Sequence, residues 1–264
     1  MKRVIFILTI FAFAVTGCNR ANLNETKTNE ATHDSETPQT LYIDAEENFQ
    51  HNTSWNCIDT NTVIFQKFRP DTMIMPFDYI PFDVFESYQM NDLKLLFGHY
   101  KASDKGEFSP YDSETDYGHR LLCFNSKNQL VFRSSGAMDT YCFVPHFYRS
   151  EDKAQTVILC QEGTEYYWGS DAFLIEKNNI YHIGFLDVEV YANTNNDEYD
   201  SPPISSVTNI KRIGNMLEFT FDADSLVFNP GGLEESLVTD VKYIYKTGIL
   251  RMEKKAVIPQ TIEE

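Results

Sequence analysis

Residues 141–160 read YCFVPHFYRSEDKAQTVILC. Two runs of aromatic and β-branched residues flank the polar segment RSEDK at 149–153. Such runs suit a pleated, half-buried surface, and a polar break between them reads as a β-hairpin. Four more stretches repeat the pattern: RLLCF-NSKN-QLVFR (120–133), DAFLIE-KNN-IYHIGFLDVEVY (171–191), VTNIKRI-GN-MLEFTFD (207–222) and VKYIY-KTG-ILRME (241–253). The turn centres, near 127, 151, 178, 215 and 247, are too unevenly spaced for a propeller or solenoid. Residues 62–68, TVIFQKF, read as a further strand. The expected fold is therefore mainly β with a minor helical part. It is an antiparallel β-meander of successive hairpins, closing as a sandwich or an open barrel-like sheet.

The helical part is expected near 82–97, FDVFESYQMNDLKLLF. Phe82, Phe85, Gln89, Leu93 and Leu96 fall near one face at helical spacing. Asp83 and Glu86 have the spacing of a capping box. Asn91 is placed to start a second, shorter helix, and Gly98 to follow its end. Residues 101–118, KASDKGEFSPYDSETDYG, are too polar for a core and read as an exposed loop.

Composition narrows the class. The 264 residues carry a formal net charge of −17, the reverse of the basic stripe that nucleic-acid binding needs. A 42% hydrophobic content is enough for a packed core and excludes a wholly disordered chain.

The first eighteen residues say where the protein resides. Lys2 and Arg3 precede an almost wholly apolar segment from Val4 to Val15. As a helix it would span about 18 Å, short of the roughly 30 Å hydrocarbon core. It reads as a signal peptide rather than a resident span. Val15-Thr16-Gly17-Cys18 follows, and this ending resembles the lipobox of bacterial lipoproteins. The resemblance covers residues 1–18 only. It implies cleavage before Cys18, a diacylglycerol thioether on the Cys18 sulfur and an acyl chain, such as palmitate, on the new amino terminus. Several acyl chains, at about 0.8 kcal/mol per buried CH₂, make a stable membrane anchor. The resemblance further implies, from Asn19 rather than Asp after the cysteine, the outer membrane in preference to the inner, with the chain facing the periplasm.

Residues 19–40 are rich in Asn, Thr and Glu, with Leu23 their one large apolar side chain. They cannot bury enough surface to order themselves and read as a tether of roughly 25 Å typical reach. The expected organisation is a signal peptide over 1–17, a lipidated Cys and tether over 18–40, and a single β-rich domain over 41–264.

Four cysteines remain after the lipidated one: Cys57, Cys123, Cys142 and Cys160. In an exported protein they are candidates for pairing. A hairpin turning about Glu151 sets Cys142 opposite Cys160, so a cross-strand disulfide is expected there. The alternative is buried free thiols.

Chemical motifs are sparse. His33, His51, His99, His119, His146 and His182 make no HExxH, HxH or other ligand spacing, and no CxxC occurs, so neither a metal nor another cofactor is expected. No GxSxG, SxxK or Walker loop is present. The segment 193–200 alternates oxygen donors but lacks the Gly and distal Glu of a calcium loop. The most suggestive run is Glu165-Tyr166-Tyr167-Trp168-Gly169-Ser170-Asp171. Glu165, Tyr166, Tyr167, Trp168 and Asp171 combine apolar ring faces with carboxylates, a mixture suited to a glycan or to an aromatic anchor for a protein.

Three functional classes fit. The first is a non-enzymatic binding module that takes a glycan or a basic protein partner by charge complementarity, a toxin-neutralising (immunity-type) protein being one version. The second is an envelope glycan or peptide hydrolase using Glu165, Asp171 or Asp187. The third is a structural component of envelope assembly. The absence of a nucleophile or metal motif favours the first.

Overall fold

All five hairpins are present in the computed structural model, which describes residues 40–44, 61–73, 79, 81–102, 109–164, 168–191, 202–228, 236–254 and 256–258. The strands begin with β1 (Thr40–Asp44), β2 (Thr62–Phe68), β3 (Asp71–Thr72), β4 (Phe82–Met90) and β5 (Leu93–Tyr100). The hairpin series follows: β6 (His119–Phe124), β7 (Leu130–Arg133), β8 (Cys142–Ser150), β9 (Gln155–Gly163), β10 (Trp168–Glu176) and β11 (Asn179–Leu186). Then come β12 (Val188–Val190), β13 (Thr208–Ile213), β14 (Met216–Phe221), β15 (Leu226–Phe228), β16 (Ser236–Thr239), β17 (Lys242–Lys246), β18 (Ile249–Lys254) and β19 (Ala256–Ile258).

Ten strands form one sheet in the order β1-β18-β17-β14-β13-β2-β8-β9-β10-β11. Every pair in it is antiparallel except β1 with β18. The lone strand β2 joins the β8–β11 meander to the β13–β18 set. The far edge, β11, returns beside β18, so the sheet curls towards a barrel. A five-stranded sheet, β3-β4-β5-β6-β7, and a four-stranded sheet, β12-β15-β16-β19, complete the fold.

The turns explain the register. Glu176 pairs with Asn179 around Lys177 and Asn178, both at positive φ (50° and 62°). That is the two-residue turn whose twist matches the flanking strands. Thr247 and Gly248 (51° and 82°) do the same between β17 and β18.

Strands β8 to β10 have core on both sides. One face sends Tyr148, Val157, Leu159, Ala172 and Leu174 into the curled sheet, with Phe219 and Tyr243. The other packs Phe147, Ile158, Cys160 and Phe173 against Leu95, Phe97 and Leu121 of the five-stranded sheet. That sheet in turn covers Leu96, Leu122 and Phe124 on its outer side with Phe82 and Tyr100.

Two expectations fail here. Residues 82–97 are not helical; they are the β4–β5 hairpin, with Met90 opposite Leu93 across Asn91 and Asp92. Most of β5 is buried on both faces, and in β4 an irregularity between Val84 and Glu86 shifts the alternation by one residue, so the pattern that marks a half-buried strand is blurred. Residues three and four apart then look like a helical stripe. Gly98 ends no helix. It lies mid-strand, where a Cβ would sit 2.0 Å from the Asp83 carbonyl oxygen, beside an irregularity between Val84 and Glu86. The one helical element among the described residues is a 3₁₀ turn at Ile204–Ser206.

The Cys142–Cys160 disulfide is also absent. Cys142 pairs with Gly163, and Cys160 pairs with Pro145. The loop is four residues, 151–154, with Lys153 at φ 58°, so the pairing is offset by three residues from a turn about Glu151. An odd offset sends the two cysteines to opposite faces. Cys123, Cys142 and Cys160 are free thiols; Cys57 lies outside the described residues.

Candidate functional site

Trp168 opens β10 and pairs with Gly163 of β9. A Cβ on Gly163 would lie 2.6–2.7 Å from three atoms of the indole, so the ring rests on the Gly163 backbone. The side chain remains 40% exposed. The Tyr141 N–H donates to the Gly163 carbonyl at 2.8 Å, bringing a second exposed aromatic residue to the same anchor. Trp168 also lines a small hollow of about 20 Å³ with Gln161, Glu189 and Ile204. An indole held flat by backbone, beside amide and carboxylate side chains, forms a rigid amphipathic platform.

Asp171 does not join that platform. It lies three residues on, so it points to the opposite face, where it is buried and hydrogen-bonded to Nε2 of His182. Glu162, buried on that same face, sits between Phe143 and Gly169 in register. Phe185 covers Gly169, where a Cβ would meet its ring at 2.5 Å. Burial, then the adjacent Asp171 charge, pushes the Glu162 carboxyl well above the usual range. Burial favours the neutral form of His182, but Asp171, through charge and hydrogen bond together, outweighs it and raises the imidazole. The cluster holds protons, yet its carboxyls are buried. Asp187, the other described carboxylate expected to do hydrolytic work, is buried too. Glu165, Tyr166, Tyr167, Cys18 and the segment 193–200 lie outside the described residues.

A larger cavity, about 620 Å³, lies at the end of β5 and β6. His99, Tyr100, Asp112, Tyr117, His119 and Thr140 are among its walls. Its framework is Arg120, fully buried and bound to Asp112 Oδ1 at 2.5 Å, Asp116 Oδ1 at 3.2 Å and the Ser134 carbonyl at 3.4 Å. The guanidinium lies 5.0 Å from the centre of the Tyr100 ring, on which Tyr111 stacks at 5.1 Å. Arg133 holds the other Asp116 oxygen at 2.6 Å, and the Gly136 N–H donates to Oδ1 at 2.6 Å. Burial raises Asp112 and lowers Arg120 in spite of their contact, as expected where desolvation rivals the Coulomb term.

The two histidines of this cavity are direct cross-strand partners, and Asp83 of β4 pairs with His99 in turn. Asp83, His99 and His119 thus stand in one row across three strands. The imidazole centres are 5.6 Å apart. Thr140 Oγ1 lies 3.0 Å from the Ala137 carbonyl, which only accepts, and 3.2 Å from His119 Nδ1. The single hydroxyl proton goes to the carbonyl, so His119 is assigned as the Nδ1–H donor and its Nε2 keeps a lone pair. Burial, and then His99, lowers the His119 pKa, which agrees with a neutral ring.

The sequence did not signal this pair. Twenty positions separate the two histidines, and only the β5–β6 register joins them. Comparison of the chain with protein-family models, with curated proteins and with solved structures finds no match. No helix among the described residues is long and apolar enough to cross a membrane.

Proposed function

We propose that the protein is a lipid-anchored cell-envelope binding module, tethered through Cys18 and contacting a glycan or basic protein partner through Trp168. One observation carries the binding half: an indole seated flat on Gly163 and still 40% exposed. A ring already fixed in place loses little side-chain entropy on binding, which is why such residues serve as hot spots. The formal charge of −17 supports a basic partner, whose approach it would steer with a rate that falls as salt rises. The anchor half rests on the Val15-Thr16-Gly17-Cys18 ending and the polar tether behind it.

Each half has its own test. Cells given labelled palmitate should incorporate it into the wild-type chain and not into C18A; an unlabelled wild type overturns the anchor. A photo-cross-linking side chain at position 168 should give a discrete adduct in intact cells, and one at the exposed Ile64 should not. Identical patterns from the two positions overturn Trp168 as the contact.

A further inference from the structure

The His99–His119 pair has the features of a metal site. With a metal–nitrogen bond of about 2.1 Å and a tetrahedral angle at the ion, two ligating imidazoles have ring centres about 5.3 Å apart. The observed separation is 5.6 Å, within a small side-chain adjustment. Ligating histidines characteristically turn their second nitrogen to a protein acceptor, which fixes ring orientation and tautomer. His119 does so here, turning Nδ1 to Thr140 at 3.2 Å. His99 Nε2 faces Asp83 Oδ2 at 4.0 Å, an ion-pair distance beyond direct hydrogen bonding. The remaining nitrogens, Nε2 of His119 and Nδ1 of His99, have no hydrogen-bond partner among the described residues.

We propose that His99 and His119 together bind one divalent transition-metal ion, with Zn²⁺ as the reference species and its other positions open to the adjoining cavity. Imidazole is a ligand for this class of ion and not for calcium or magnesium, which prefer oxygen. No set of three His, Cys, Asp or Glu side chains among the described residues forms a complete cage. Two protein ligands therefore make an exchangeable site rather than a structural one. The site is independent of Trp168.

The test is calorimetric titration of the purified full-length chain with zinc chloride in a non-chelating buffer. The wild type should bind one more Zn²⁺ per chain than the H99A/H119A double variant, whose melting curve without metal reports its fold. H99A alone, at a half-exposed side chain, should lose the same ion and serves if the double variant unfolds. T140V should weaken that site about tenfold or more by releasing His119 Nδ1, and W168A should leave it unchanged. Equal zinc binding by wild type and H99A overturns the site, as does a wild type that binds none. An unchanged affinity in T140V overturns the tautomer on which it stands.

Discussion

Replacing Arg120 by Met should be among the most damaging single changes in the described structure. Met occupies a similar volume, so the loss is one of charge and hydrogen bonds rather than of packing. The guanidinium is completely buried, and its Asp112 partner is 7% exposed. Without Arg120, Asp112 loses its direct ion pair and keeps only the longer-range pull of Arg133, whereas Asp116 keeps Arg133 in contact and the Gly136 N–H. Breaking a buried pair from one side costs about 3–5 kcal/mol. For a domain of this size that corresponds to a melting temperature lower by roughly 10 °C. Thermal and urea unfolding of R120M would measure it. Adding D112N should return more than half of the loss, because the stranded charge is then gone. Lys at 120 should not rescue, since an ammonium cannot reproduce the forked contacts or the Tyr100 stacking. An R120M protein within 1 kcal/mol of wild type, or no recovery with D112N, would refute the reasoning.

His146 predicts an acid-sensitive step. Burial, aided by Lys67, pulls its pKa down to about 4 from 6.5, and its Nε2 is buried without a partner. The native ring stays neutral while the unfolded ring charges, so this stability is present above pH 6.5 and lost as pH falls through 4. Between pH 7 and 4.5, H146L should lose about 2.5 kcal/mol less than wild type; parallel urea-unfolding curves would contradict it. Gly163→Ala should lift the Trp168 ring, cost about 1–3 kcal/mol and red-shift the indole emission. The two tryptophans of the chain make this readable once Trp55 is Phe, and an unshifted spectrum would mean the ring does not rest on Gly163.

Much of the β architecture was legible because the turns announce themselves. Lys177-Asn178, Gly214-Asn215 and Thr247-Gly248 interrupt runs of β-formers at the correct places. The β4–β5 hairpin was hidden because double-sided burial removes the polar alternation from β5 and the irregularity at Val84–Glu86 shifts it in β4. The cysteine pairing failed on loop geometry: RSEDK locates the turn but not its register, and an offset of three residues is enough to separate Cys142 from Cys160. The split of Trp168 from Asp171 was readable, since residues three apart in a strand face opposite ways. The His99–His119 pair was not, because it depends on pairing β6 with β5, a strand that resembled a helix, across the polar segment 101–118.

The central claim is that Trp168 is a contact residue rather than part of the core. Its most direct test is the affinity of the detergent-solubilised full-length chain for lipid-free sacculi and, separately, for the solubilised envelope protein fraction, compared between wild type and W168A. The wild type should bind one of the two saturably, more weakly as salt rises. W168A should bind that partner at least about thirtyfold less tightly, a change of about 2 kcal/mol, with its melting temperature nearly unchanged. Equal binding by the two proteins, or a W168A chain that simply unfolds, would contradict the claim and return Trp168 to ordinary packing.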